Sequence, residues 1–298
     1  MESDRPCIDL HVHTTASDGT DSPAGILDLA HGLGLSAVAI TDHDTVEGAR
    51  EALRERPRDG LAFVPGVEIS VSVPDPYADA KGTLHILGYF IDVNHHTLTR
   101  SLNILQEARA NRNPQIIERL HRMGLDLSYE EVLDSAGGGQ LGRPHIAQMM
   151  VAKGVVPDIQ AAFSNYLGKG RPAYVEKYRL GVEEALSVIL EAGGLPVLAH
   201  PFSLKMEGDR LDSFVSGLAD LGLRGIEVYY PEHSEKQVAA YLALVEKYGL
   251  LATGGTDFHG SRKPNISLGK GKGNLHIPYD LYEELLAEHR RHVHKRSA

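Results

Sequence analysis

The residues able to do chemistry in this chain sit where short apolar runs end. The first run leads into Asp9-Leu10-His11-Val12-His13-Thr14, followed by Ser17-Asp18-Gly19. In an extended segment residues two apart point to the same side, so Asp9, His11 and His13 can share one face. Two imidazoles and a carboxylate at that spacing suit a borderline divalent ion such as Zn, Mn or Fe. A structural pair with satisfied partners would read the same way, so this motif is weak alone. A second run, residues 37–40, ends in Thr41-Asp42-His43-Asp44. Charged groups directly after a buried strand cost desolvation unless they are paired or coordinated. Glu68 interrupts a third run, His85 opens a fourth, and His200 ends residues 195–199. Glu227 lies inside residues 225–230, and Asp257 and His259 follow residues 250–253. Singly, each is more often structural than a ligand. Together they imply a site holding more than one metal ion.

The elements that must position these residues alternate. Strands are expected at residues 7–12, 37–40, 61–71, 83–90, 195–199, 225–230 and 250–254. Helices are expected from Ser22-Pro23 to about residue 34, then at 46–56, 182–192, 211–221, 235–248 and 279–292. Such alternation argues for a mainly parallel α/β sheet or barrel, whose carboxyl strand ends converge on one face. Residues 96–173 carry almost no strand pattern. A long helix at 98–123 and shorter ones at 129–136, 144–153 and 157–166 make this an expected helical insertion, with Gly137-Gly138-Gly139 as a loop. Arg109, Arg112, Arg119 and Arg122 fall near one another on the long helix. A solvated face explains them as well as a binding face does. Residues 289–296 read as a basic tail that frays.

Length and composition bound the rest. The 298 residues, 42% hydrophobic and 23% charged, suffice for a full buried core. A net charge of −10 would repel stable duplex nucleic acid and anionic membranes, yet residues 100–179 alone are net +3. One cysteine, Cys7, excludes an intrachain disulfide framework or a Cys-rich metal site, whereas the histidines number 16. No apolar run is long enough to span a membrane, and MESDRPCIDL lacks the basic-then-apolar pattern of a signal. A cytoplasmic protein is expected.

The motifs Asp9-x-His11-x-His13-Thr14, Thr41-Asp42-His43-Asp44, Ala199-His200-Pro201 and Asp257-x-His259, with Gly66-Val67-Glu68-Ile69-Ser70 and His85-Ile86-Leu87-Gly88-Tyr89 between them, resemble the polymerase and histidinol phosphatase (PHP) family of metal-dependent phosphoesterases. The resemblance implies a distorted seven-stranded β/α barrel, here residues 1–95 and 174–298, with an inserted helical domain at 96–173. It also implies two or three divalent ions, Mn, Fe or Zn. Carried over by motif, His11, His13, Glu68 and Asp257 would hold the first metal. Glu68 would bridge to a second completed by His85 and His200, and Asp18, His43 and His259 would hold a third. Asp18 stands where some relatives have histidine, which implies a weaker third site or a harder metal. Asp9 and Asp42 would orient ligand imidazoles, with direct ligation the alternative.

The insert, with Gly142-Arg143-Pro144-His145 and Gly168-Lys169-Gly170-Arg171-Pro172, resembles one subgroup most. Its members dephosphorylate nucleoside 3′,5′-bisphosphates or release 5′-nucleotides from short RNA. The expected reaction is in-line attack on phosphorus by a hydroxide bridging two metals, which neutralise oxygens and lower the pKa of bound water to about 7. Arg143 offers a planar fork for phosphate oxygens, and Gly142 leaves room beside it. His145 could assist, and Lys169 and Arg171 could grip a second phosphate; ordinary surface charge is the competing reading. His233 is a candidate general acid, against a plain surface histidine. Histidinol phosphatase or another small phosphomonoesterase is the alternative within enzymes, and a non-catalytic metal-binding PHP module the alternative outside them. An amidohydrolase is disfavoured, since no lysine at a strand end is suited to carbamylation.

Overall fold

Runs such as Ala37–Ile40, four apolar residues buried on both faces, can only be interior strands of a covered sheet. In the computed structural model, which describes residues 7–56, 58–79, 82–135, 141–273 and 275–297, seven strands form. They are β1 (Ile8–Val12), β2 (Ala37–Ile40), β3 (Ala62–Val71), β4 (Leu84–Tyr89), β5 (Leu195–Leu198), β6 (Gly225–Tyr229) and β7 (Leu251–Gly254). They pair in sequence order, β1 next to β2 and so on to β7. The sheet curls back on itself: the His13 N–H donates to Phe258 O at 2.9 Å, beyond the end of β7. A β/α barrel results, as expected.

The sheet is mainly parallel, as expected, with one strand reversed. β4 is antiparallel to both β3 and β5. The described residues between β3 and β4 hold no helix to carry a parallel crossover, so the chain returns directly. The register of that return matters. Ser70 pairs with His85, and side chains two residues apart share a face, so Glu68, Ser70 and His85 all belong to one side.

Around the barrel lie α1 (Pro23–Gly32), α2 (Glu47–Ala52), α7 (Val182–Glu191), α8 (Gly208–Asp220), α9 (Glu235–Tyr248) and α10 (Asp280–Ser297). Ser22 caps α1 by accepting from the Gly25 N–H at 3.1 Å, with Pro23 in the first turn. The stretch expected to fray is instead the last part of α10.

Between β4 and β5 come α3 (His96–Arg122), α4 (Tyr129–Ser135), α5 (Arg143–Ala152) and α6 (Ile159–Ala162), with no strand among the described residues. The helix expected at 157–166 is α6 plus a π-helical turn, Phe163–Leu167. Gly137-Gly138-Gly139 lies outside the described residues. α3 serves two cores. Leu98, Leu102 and Leu105, at helical spacing, are buried in the barrel core. Ile116, Ile117 and Leu120 are buried in a separate cluster with Ile146, Met150 and Leu167. Burying each such side chain contributes roughly 1.5–3 kcal/mol, enough to fix the helix at both ends. The middle, which carries Arg109 and Arg112, has no freedom to swing away. No helix among the described residues is long and apolar enough to cross a membrane.

Candidate metal centre and basic cleft

Each strand end delivers its polar group inward, and the backbone there is strained. Asp44, His200 and Asp257 have φ of 54°, 25° and 54°, values non-glycine residues rarely adopt. Such outliers persist only where surroundings hold them, and they gather at functional sites. Gly255 shows how tight the packing is, since a Cβ there would lie 2.2 Å from the His11 Cβ.

Glu68, fully buried, is the centre. Its Oε1 lies 2.7 Å from His85 Nδ1 and 2.8 Å from His200 Nε2. Its Oε2 lies 2.9 Å from His43 Nδ1, 3.2 Å from His13 Nε2 and 3.3 Å from His11 Nε2. Asp257 Oδ1 is 3.2 Å from His13 Nε2, and Asp18 Oδ1 is 3.3 Å from His259 Nε2. Four groups of donor atoms lie within 4.8 Å of one another: His11, His13 and Asp257; His11, Glu68 and His200; His43, Glu68 and His85; and His13, Asp18, His43 and His259. The structure thus brings together nine of the residues expected as ligands. It differs in that His43 faces Glu68 as well as Asp18, and His13 joins the Asp18 group.

The donors fit cations better than one another. Glu68 Oε2 and His43 Nδ1 are buried without a hydrogen-bond partner. Burial would raise the Glu68 carboxyl, but His43, His85 and His11 outweigh it and hold it well below the usual range. Asp257 is likewise held low, against burial, by Lys263 and His259. Burial would lower His13, but Asp257 and Glu68 raise it to about 9. Protons on His11 and His13 thus balance carboxylates that a divalent ion would balance more fully, while burial lowers His85 and His259 to about 4 and leaves them neutral nitrogen donors.

Asp42 and Asp9 do other work. Asp42 Oδ1 accepts from the Thr14 N–H at 2.8 Å and the Ser17 hydroxyl at 2.5 Å, and Oδ2 accepts from the Thr14 hydroxyl at 2.7 Å. The structure places Asp42 in none of the ligand groups, because its oxygens fasten the loop carrying Asp18. Asp9 accepts from the Thr256 N–H and hydroxyl at 2.9 and 2.5 Å and from the Gly269 N–H at 2.8 Å, fastening backbone rather than imidazole. The residue that orients an imidazole is Glu227, 2.8 Å from His11 Nδ1. A carboxylate inside a strand was its only sequence signal. Tyr230 Oη donates to Asp257 Oδ2 at 2.8 Å, and Lys263 Nζ reaches the same oxygen at 2.5 Å.

Above the cluster opens a cleft of about 160 Å³, walled by Asp18, His43, His85 and Ser70 on the barrel side. Five cations face it: Arg109, Arg112, Arg143, Lys177 and Arg179. A solvated face does not describe Arg109 and Arg112, which are 6% and 4% exposed. Arg119 and Arg122 do turn outward, Arg119 to the Tyr174 carbonyl and Arg122 to Glu118. The room left by Gly142 is taken by Arg109, whose Nη1 would lie 3.1 Å from a Cβ there. Lys177 and Arg179 gave no sequence signal, being in an irregular segment between the insert and α7.

Asp44 organises this wall. Fully buried, it accepts from Arg109 Nη2 at 2.5 Å, Lys177 Nζ at 2.5 Å and the Ser70 N–H at 2.8 Å. Burial would raise its carboxyl, but Lys177 and Arg109 hold it well below the usual range. Burial and the Arg109 charge press Lys177 down to about 7 against the pull of Asp44.

The remaining candidates divide. Arg143 lines the cleft, donates to Leu167 O at 2.9 Å and lies over the rings of Phe163 and Tyr174. His145 is buried, and its Nδ1 accepts from the Gly142 N–H at 3.1 Å. Burial and Arg262 lower it to about 4, so it is a neutral helix cap. Lys169 lines an adjoining outer cleft, whereas exposed Arg171 is among the lining residues of neither. His233 is no surface histidine. It bonds Val228 O through Nδ1 at 2.8 Å among the rings of Phe202, Tyr230 and Tyr241, away from both clefts. Burial lowers it as well.

Comparison with known proteins bears on this arrangement. The family model described as PHP domain matches residues 9–189. The 3′,5′-nucleoside bisphosphate phosphatase of Chromobacterium violaceum is 31% identical over 281 residues, covering 94% of this chain and 96% of its own. The 5′-3′ exoribonuclease Rnm of Escherichia coli is 34% identical over 264 residues, covering 88% of each. A crystal structure from Bifidobacterium adolescentis, described as a predicted metal-dependent phosphoesterase, superposes with a TM-score of 0.83 at 29% identity, covering 96% of this chain and 97% of that one.

Proposed function

Because the chain belongs to the PHP domain family and is a metal-dependent phosphoesterase, we propose that its substrate is a nucleotide carrying two phosphates, a nucleoside 3′,5′-bisphosphate or a short 5′-phosphorylated RNA. One observation carries this reading: five cations converge on a cleft floored by Asp18, His43 and His85 of the candidate metal centre. Asp44 already balances Arg109 and Lys177, and Glu176 balances Arg179, but Arg112 and Arg143 have no carboxylate partner among the described contacts, and a second phosphate would supply their anion. The activities for which the Chromobacterium and Escherichia relatives are named agree with such a substrate.

His11, His13, Glu68 and Asp257 would hold one ion, Glu68, His85 and His200 a second, and Asp18, His43 and His259 a third. This mixed nitrogen and oxygen donor set suits Mn, Fe or Zn. Bound there, divalent ions would neutralise phosphate oxygens and acidify water. The protein's own groups position the substrate. Arg143 and Arg112 present forks able to bind phosphate oxygens in pairs. Asp44 keeps Lys177 and Arg109 aimed into the cleft. His145 holds the start of α5, and with it Arg143, rather than moving a proton. The barrel at 1–95 and 174–298 supplies the ligands in this reading, and the insert at 96–173 supplies Arg109, Arg112 and Arg143.

The test is a substrate panel with added Mn: adenosine 3′,5′-bisphosphate, 3′-AMP, 5′-AMP, p-nitrophenyl phosphate and 5′-phosphorylated oligoribonucleotides. Two-phosphate substrates are expected to show the highest kcat/KM, and Arg143→Ala to lower it for them. Preference for single phosphates, or an unchanged kcat/KM in Arg143→Ala, would overturn the reading.

A further inference from the structure

The basic cleft does not end at Arg143. It opens into a second, larger cleft of about 400 Å³, and the two share Thr83, Arg143, Phe163 and Arg179. We propose that this outer cleft is a nucleobase-stacking site, with the Phe163 ring as platform and Tyr174 beside it. The inference rests on the two-phosphate nucleotide reading, since it places the base of a substrate whose phosphates lie in the inner cleft.

Three features point there. First, the aromatic wall is fixed. Phe163 starts the π-helical turn Phe163–Leu167, a feature found frequently at functional sites. Arg143 ties that turn down through Leu167 O, and its guanidinium carbon stands 5.6 Å from the Phe163 ring centre and 5.5 Å from that of Tyr174. Tyr174 Oη donates to Glu176 Oε2 at 2.8 Å, which holds the second ring. A preordered ring loses little entropy when a base stacks on it.

Second, the lining also includes aliphatic groups, Val71 and Leu84 at the ends of β3 and β4 and Val73 just beyond β3. A lining of aromatic and aliphatic groups suits a flat, weakly polar ligand. Third, Glu176, Arg179 and Ser72 of its lining are already engaged. Glu176 is bound by Tyr174 and Arg179, and the Ser72 hydroxyl donates to Leu180 O at 3.0 Å. Such a site stacks bases without reading their edges, so it accepts all four.

The experiment compares adenosine 3′,5′-bisphosphate with an abasic 1-deoxyribose 3,5-bisphosphate, each as substrate and as competitive inhibitor of p-nitrophenyl phosphate hydrolysis by the Mn-loaded protein. The nucleoside compound is expected to bind about tenfold or more tightly than the abasic one, with the four bases alike within a few-fold. Phe163→Ala removes that gap by weakening only the nucleoside compound, and Phe163→Tyr retains it. A purely structural role for Phe163 would weaken both compounds alike. Equal binding by the wild-type protein, or equal weakening in Phe163→Ala, would overturn the proposal. If neither compound is hydrolysed but the binding gap persists, the substrate reading fails and the stacking site stands.

Discussion

Glu227 Oε1 lies 2.8 Å from His11 Nδ1, while its other oxygen accepts the His200 N–H at 2.7 Å. One buried carboxylate therefore sets the ring of one metal-site histidine and the backbone of another. Occupying Nδ1 leaves Nε2 of His11 as the atom facing Glu68. Glu227→Gln should lower metal affinity about 10- to 100-fold, read by competition with a chelator. Wild-type affinity in this variant would show that Glu227 does not tune the site.

Asp44→Asn should damage stability and substrate binding together. It leaves Arg109 and Lys177, whose side chains are 8% and 9% exposed, without their shared anion. Removing one partner of a buried ion pair costs about 3–5 kcal/mol, which urea unfolding will register. KM for two-phosphate substrates should rise while metal content stays at the wild-type level. An unchanged urea midpoint would mean the triad holds nothing.

Arg112 separates one-phosphate from two-phosphate recognition. The residue is 4% exposed, and its described side-chain hydrogen bond is to Asn113 Oδ1 at 3.3 Å, so a ligand oxygen is its natural partner. Arg112→Ala should raise KM for adenosine 3′,5′-bisphosphate about tenfold or more, the scale of a charge-assisted hydrogen bond, and leave p-nitrophenyl phosphate nearly unaffected. Equal effects on both would place Arg112 at the cluster instead.

His145 makes stability depend on pH in a stated direction. Its folded pKa of about 4 lies below the ordinary 6.5, so between those values the unfolded chain takes up a proton that the folded one refuses. The stability is present above pH 6.5 and is lost as pH falls towards 4, by at most on the order of 3 kcal/mol. Other histidines titrate too, so the measurement is the difference in urea-unfolding slope against pH between wild type and His145→Gln. Parallel slopes would contradict a buried neutral His145.

The sequence reveals more of the barrel than of the cleft. Residues such as His11, His13 and Glu68 are readable because an ionisable group within or just after an apolar run is costly and therefore informative. Arg109 and Arg112 are visible as charges, but helical periodicity cannot say whether a charged face meets water or another element. Asp44 is legible as a motif member and silent as to partner, since Arg109 and Lys177 lie 65 and 133 residues away. His233 misleads for the same reason, its aromatic surroundings coming from separate elements.

What the sequence alone determined is the kind of chemistry and the strands that carry it. Ligand types at period-two spacing, repeated from strand to strand, specify a metal-binding site because local geometry makes neighbours of residues two apart. What only the tertiary structure decided is which oxygens are free. Asp42 and Asp9 look like ligands in the chain, yet folding turns their lone pairs to backbone and hydroxyl donors. Glu227 looks like any strand carboxylate, yet folding turns it to His11. A carboxylate's role is set by the donors within hydrogen-bond reach, and those are gathered across the barrel, beyond the range of any local pattern.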